Sequence, residues 1–167
     1  MHDVQVLPGP SDPPPRFPPE LAECGFYLVI RSDGFVLHMS ASAEHLREMR
    51  ARVFKEVCGA GMDEEVADAA RLVASELVGN AVRLCGPFTP VVVQVAAQPD
   101  EVLVQVHDPE PAAMPDRRDL PPGNDQSESG RGLWILDVLA PGWSVEPTPL
   151  GKQIRCRLPH PTRRNCA

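Results

Sequence analysis

Between residues 63 and 83 the apolar positions recur at three- and four-residue steps: Val66, Ala69, Ala70, Val73, Leu77 and Ala81. That spacing predicts one buried face of an amphipathic helix. Asp63 stands at the N-cap position, Glu64 and Glu65 suit the positive end of the helix dipole, and Gly86-Pro87 ends the run. An earlier helix is predicted from Ser40 or Ser42 to about Val57, with Leu46, Met49, Val53, Phe54 and Val57 on its apolar side and Gly59-Ala60-Gly61 after it. Elsewhere the pattern is that of strands. Phe26–Ile30 and Phe35–Met39 flank Ser32-Asp33-Gly34 as a hairpin. Val91–Val95 and Val102–Val106, rich in β-branched residues, are joined by a turn at Pro99-Asp100. A short helix, Leu133–Leu139, and two further strands, 143–146 and 153–158, close the series. The order predicts an α+β fold, a two-layer sandwich with one mostly antiparallel sheet and its helices on one face.

The flanks read differently. Residues 1–22 hold seven prolines, including Pro13-Pro14-Pro15, which predicts a disordered or polyproline arm. Residues 23–159 form the folded domain, and 160–167 a flexible tail. From His107 to about Ser129 prolines interrupt every pattern, and an irregular stretch of that length inside a compact domain predicts a lid or binding loop.

A length of 167 residues suits one domain with a full core. A net charge of −7 excludes the basic footprint that a duplex-DNA binder needs, so no direct nucleic-acid contact is expected. No apolar run is long enough to cross a membrane and no leader pattern opens the chain, which predicts a cytoplasmic protein. Five scattered cysteines (24, 58, 85, 156 and 166) without a Cys-x-x-Cys pair predict reduced thiols rather than a zinc site. Arg47, Arg50 and Arg52 give the first helix a basic side, a candidate surface for an acidic partner. Glu44-His45-Leu46-Arg47 has the wrong order for a phosphoacceptor box, and His45 is expected on the surface.

Three short stretches carry candidate chemistry. Glu76 and Asn80 lie four apart, one turn above the other on the second helix, beside its apolar stripe. A carboxylate and a carboxamide so placed can serve Mg²⁺, which keeps most of its waters, and the hydroxyl or water beside it. Asp108 follows the strand ending at Val106, where a carboxylate can accept a hydrogen bond from the exocyclic amine of adenine. Ser129-Gly130-Arg131-Gly132-Leu133 precedes an apolar helical run, and glycines at a helix start let unpaired amides approach a phosphate.

Taken together these stretches resemble a family. Ser75-Glu-Leu-Val-Gly-Asn80-Ala-Val is similar to the N-box of the GHKL ATPases, the group of gyrases, chaperones, histidine kinases and mismatch-repair ATPases. Val106-His-Asp108 resembles their adenine box, and Glu128-Ser-Gly130-Arg-Gly132-Leu their phosphate box. The nearest likeness is to the anti-sigma-factor serine/threonine kinases of bacterial partner switching. That resemblance implies a Bergerat-type ATPase fold, ATP and Mg²⁺ as cofactors, and a sigma factor and a STAS-type anti-sigma antagonist as partners, with a possible homodimer. It implies Glu76 as general base, Asn80 as Mg²⁺ ligand, and ATP contacts from Asn80, Arg83, Asp108, Gly130, Arg131, Gly132, Leu133 and Gln153. The chain departs from the family at Asp108-Pro109-Glu110-Pro111-Ala112, where glycines are usual, and at Gly151-Lys152-Gln153, where a threonine is usual. The alternative expectation is therefore a regulatory module of this fold that holds a sigma factor or antagonist without kinase turnover.

Overall fold

The computed structural model describes residues 25–112 and 128–160, with the backbone alone for 128–131. The expected arm, tail and most of the lid lie outside the described residues. Chain order is β1 (Phe26–Arg31), β2 (Gly34–Ser40), α1 (Ala43–Gly59), α2 (Glu64–Cys85), β3 (Pro90–Gln98), β4 (Glu101–Asp108), α3 (Glu128–Leu139), β5 (Ser144–Thr148) and β6 (Gly151–Pro159). The six described strands form one sheet in the order β1-β2-β3-β4-β6-β5, and every neighbouring pair is antiparallel. Helices cover one face. The predicted two-layer α+β sandwich is the fold observed.

Strand alternation sets the layers. Phe35, Leu37, Val91, Val93, Val95, Val102, Val104 and Val106 point into the helical layer and are buried there. From above, α1 contributes Met49, Val53 and Val57, and α2 contributes Val73, Ala74, Leu77, Val78 and Ala81. The small residues Ala67, Ala70, Ala74 and Ala81 let α2 lie close to the sheet, over β4 and against both other helices. Burying one side chain such as Leu77 or Val73 contributes about 1.5–3 kcal/mol. Together they fix the rotation of α2, and with it the directions of Glu76 and Asn80.

The turns follow their chemistry. Ser32-Asp33 alone separates β1 from β2, and Arg31 pairs with Gly34. A Cβ on Gly34 would fall 1.9 Å from the Val95 carbonyl oxygen, so β3 can approach only a glycine there. Ser42 caps α1 by accepting from the His45 amide at 3.1 Å. Asp63 precedes α2 but makes no capping bond; its carboxylate lies 3.5 Å from His160 Nε2 beyond β6.

Several sequence expectations are corrected. His45 is buried rather than on the surface: its Nδ1 lies 2.7 Å from the Ser40 carbonyl oxygen and its ring tilts against Phe26. The hydrogen bond to a backbone acceptor is what makes an imidazole tolerable at a core-facing helical position. β4 runs through His107 and Asp108, because both pair with β6. Helix α3 begins at Glu128, so Gly130 and Gly132 lie within its opening turns rather than ahead of them. Of the arginines on α1, Arg50 crosses to α2 and donates to Ser75 Oγ at 3.0 Å, while Arg52 is half-buried.

Candidate functional site

Helix α2 carries the first part of the site. Its apolar stripe is buried through Leu77 and Ala81, leaving Glu76 and Asn80 half-buried along one edge. That edge meets α3. A Cβ placed on Gly132 would stand 3.0 Å from Glu76 Oε2 and 3.6 Å from both side-chain polar atoms of Asn80. Gly132 is itself buried, and its missing side chain brings the α3 backbone within contact of the acid and the amide. Leu133 packs its side chain on the core and Leu136 is buried, which fixes α3 against α2. Two stretches far apart in sequence thus meet along one edge of α2. Arg83, one turn beyond Asn80, turns its guanidinium back so that Nη2 donates to Asn80 Oδ1.

Asp108 ends β4 on the helix-covered side, in the same row as Val104 and Val106. It lies on the same side of the sheet as Asn80, as a shared nucleotide cleft requires. Its carboxylate is not free. Oδ1 accepts from Lys152 Nζ at 2.9 Å and from the Glu110 amide at 2.9 Å. Lys152 also donates to the Glu110 carbonyl oxygen at 2.8 Å. The side chains of Asp108 and Lys152 are only 3% and 1% exposed, so each neutralises the other where water does not. Glu110 turns its own carboxylate onto the Ala112 amide at 2.8 Å, which closes the Asp-Pro-Glu-Pro loop on itself. Gly151 completes the cluster, since a Cβ on it would overlap the Asp108 carbonyl oxygen at 1.9 Å.

Lys152 is the residue beside Asp108 that sequence reasoning passed over. Its signal was available: a lysine inside an alternating apolar strand, two residues before Ile154, implies a buried counter-ion. Gln153 is placed elsewhere. It pairs with His107 across the ladder and its Nε2 lies 3.4 Å from Gln105 Oε1, on the face of the sheet away from the helices. The structure therefore does not bring Gln153 to Asp108, Asn80 or Gly132. The backbone of Gly130 and Arg131 runs into Gly132 within α3, and their side-chain surroundings lie outside the described residues.

A family model for the histidine kinase-like ATPase domain matches residues 39–158, from the end of β2 to the end of β6. The chain belongs to that family. The match spans Glu76, Asn80, Asp108 and Gly132, so all four lie within the ATPase domain. A curated relative is 40% identical over 73 residues, which cover 42% of this chain and 67% of that protein; it is an uncharacterized protein, SCO4941, of Streptomyces coelicolor.

Which groups suit the ATPase site can be read from its donors. An acid and an amide beside the Gly132 backbone are the donor types that suit a polyphosphate and its Mg²⁺. Among the described residues no three His, Cys, Asp or Glu side chains gather around one point, and a Mg²⁺ carried on phosphate oxygens and waters needs no such cluster. No described helix is long and apolar enough to cross a membrane. A shallow depression bounded by Ser32, Asp33, Arg52, Lys55 and Glu56 also touches Ala97 near the β3–β4 turn, at the end of β4 opposite Asp108. It contains none of the predicted site residues.

Proposed function

We propose that this ATPase domain is a cytoplasmic anti-sigma factor that phosphorylates a serine or threonine of a STAS-type antagonist. In this reading it sequesters a sigma factor when the antagonist is absent or already phosphorylated. The observation that carries the reading is the contact of Gly132 with Glu76 and Asn80. A carboxylate, an oxygen ligand and a glycine backbone brought together are what phosphoryl transfer by positioning needs.

The reading assigns the following roles. Glu76 accepts the proton of the attacking hydroxyl while that oxygen bonds to the γ-phosphorus and the bond to the β–γ bridging oxygen breaks. Asn80 would hold Mg²⁺ through Oδ1, the oxygen to which Arg83 now donates, and Arg83 would add positive charge beside the phosphates. When bound, the metal neutralises charge on the transferring group. Asp108 accepts from the adenine amine. The α3 segment Gly130-Arg131-Gly132-Leu133 lies along the phosphates. Gln153 has no part in this scheme. A homodimer is a further expectation of the reading.

The test is transfer of γ-labelled phosphate from ATP to a STAS-type antagonist. Glu76→Ala abolishes transfer and leaves Mg²⁺-ATP binding intact; transfer that survives this change removes Glu76 from the mechanism.

A second reading rests on a specific observation. Asn80 and Asp108, the two side chains that would anchor ATP, are each already paired with a cation of the chain, Arg83 and Lys152. A regulatory module that holds its partner without turnover would look the same. Calorimetry separates the two: this version shows stable partner binding and no ATP affinity at millimolar nucleotide.

A further inference from the structure

The Asp108–Lys152 pair has a geometry that does more than neutralise charge. A carboxylate offers about four acceptor positions on two oxygens. Here both hydrogen bonds fall on Oδ1, from Lys152 Nζ and the Glu110 amide, and among the described residues nothing donates to Oδ2. Lys152 spends a second N–H on the Glu110 carbonyl oxygen. The ammonium therefore ties strand β6 to both ends of the Asp108–Glu110 turn. Gly151, at φ +145°, admits the Asp108 carbonyl oxygen where any other residue would collide with it. The tie is built into the sheet: Asp108 and Lys152 are direct partners across β4 and β6.

We propose that Lys152 is a positioning residue for purine recognition, holding the Asp108 carboxylate turned so that Oδ2 alone is presented to an exocyclic amine. The inference rests on the nucleotide-binding reading above and adds the group that decides the base. Its physical basis is that a buried carboxylate without a partner to hold it turns toward water. A turned Asp108 no longer offers a fixed acceptor. The two prolines that flank Glu110 stiffen the loop but carry no N–H, so the Glu110 amide and Lys152 are the donors that hold the carboxylate.

The experiment is calorimetric titration of the full chain, with Mg²⁺, using ATP and purine riboside triphosphate, which lacks the 6-amino group. Wild type is expected to favour ATP about tenfold or more, the range of a hydrogen bond to a charged group. In Lys152→Met that preference collapses to within about threefold, and Lys152→Arg retains it. Circular dichroism melts establish that each variant is folded, and Lys152→Gln replaces the methionine variant if that one is not. A wild-type preference near unity overturns the inference without any variant. So does an unchanged preference in Lys152→Met or Lys152→Gln, or an equal loss for both nucleotides, which marks a purely structural lysine. Tighter ATP binding by either variant overturns it as well, because the lysine would then be an obstruction. Wild type binding neither nucleotide is a separate failure: it removes the nucleotide reading itself, and the positioning role with it.

Discussion

Gly132 on α3 lies so close to Glu76 on α2 that a single added methyl would stand 3.0 Å from Oε2. The space a side chain would fill is the space between the proposed base and the phosphate-binding backbone. Gly132→Ala is therefore predicted to separate stability from function. The alanine suits a helix better than glycine by about 0.5–1 kcal/mol, and the flexible end of Glu76 can give by a few tenths of an ångström. The melting temperature should hold or rise slightly. Phosphate transfer should fall tenfold or more, because the carboxylate is pushed from its position. A variant that melts early instead would show that the contact is packing alone.

Gly151→Ala is predicted to do the reverse. Its Cβ would meet the Asp108 carbonyl oxygen at 1.9 Å, at a φ of +145° that L-residues rarely adopt. Neither the backbone of β4 nor that of β6 can yield without breaking the ladder between Asp108 and Lys152. A loss of about 2–4 kcal/mol is expected from strain and overpacking, read as an early urea midpoint. A wild-type midpoint would mean that the hairpin of β5 and β6 is looser than the register implies.

How far this site was legible depends on what kind of force places each residue. The rotation of α2 is set by local periodicity, so the shared edge of Glu76 and Asn80 follows from Val73, Leu77 and Ala81 alone. Asp108 on the helix-covered side follows equally from the alternation of Val102, Val104 and Val106. His45 did not, because its burial depends on a carbonyl five residues back whose direction is fixed by the end of β2. Nor did the pairing of Asp108 with Lys152, which is 44 residues away and becomes visible only once β4 and β6 have a register. That Gln153 faces away from the helices is hidden for the same reason: a shift of one position in a strand changes the face.

The buried pair makes a prediction about stability that is independent of any ligand. Removing one partner leaves an uncompensated charge in the interior, at a cost of about 3–5 kcal/mol. Removing both, as in Asp108→Leu with Lys152→Met, should cost less than either single change, because neither desolvated charge then remains. A double-mutant cycle by chemical denaturation measures the difference. Additive losses would indicate that the two groups are coupled weakly despite their 2.9 Å separation.

Cys156 offers a pH test of the core. It is fully buried on β6 among the residues under α2, and burial pushes its thiol up to about 12. In the unfolded chain the same thiol ionises near 9.0. The unfolded state therefore loses a proton that the native state keeps, and each pH unit between those values favours unfolding. The contribution is fully present below about pH 9 and is lost as pH rises toward 12, with a slope of at most about 1.4 kcal/mol per unit from this one group. Alkylation mapped by mass spectrometry at pH 8 should label Cys58 and Cys85, both half-buried, well before Cys156. Replacing Cys156 by alanine should flatten the alkaline part of the stability profile, at the cost of a small cavity beneath α2. Early labelling of Cys156 would mean that β6 opens from the sheet more readily than its pairing with β4 and β5 implies.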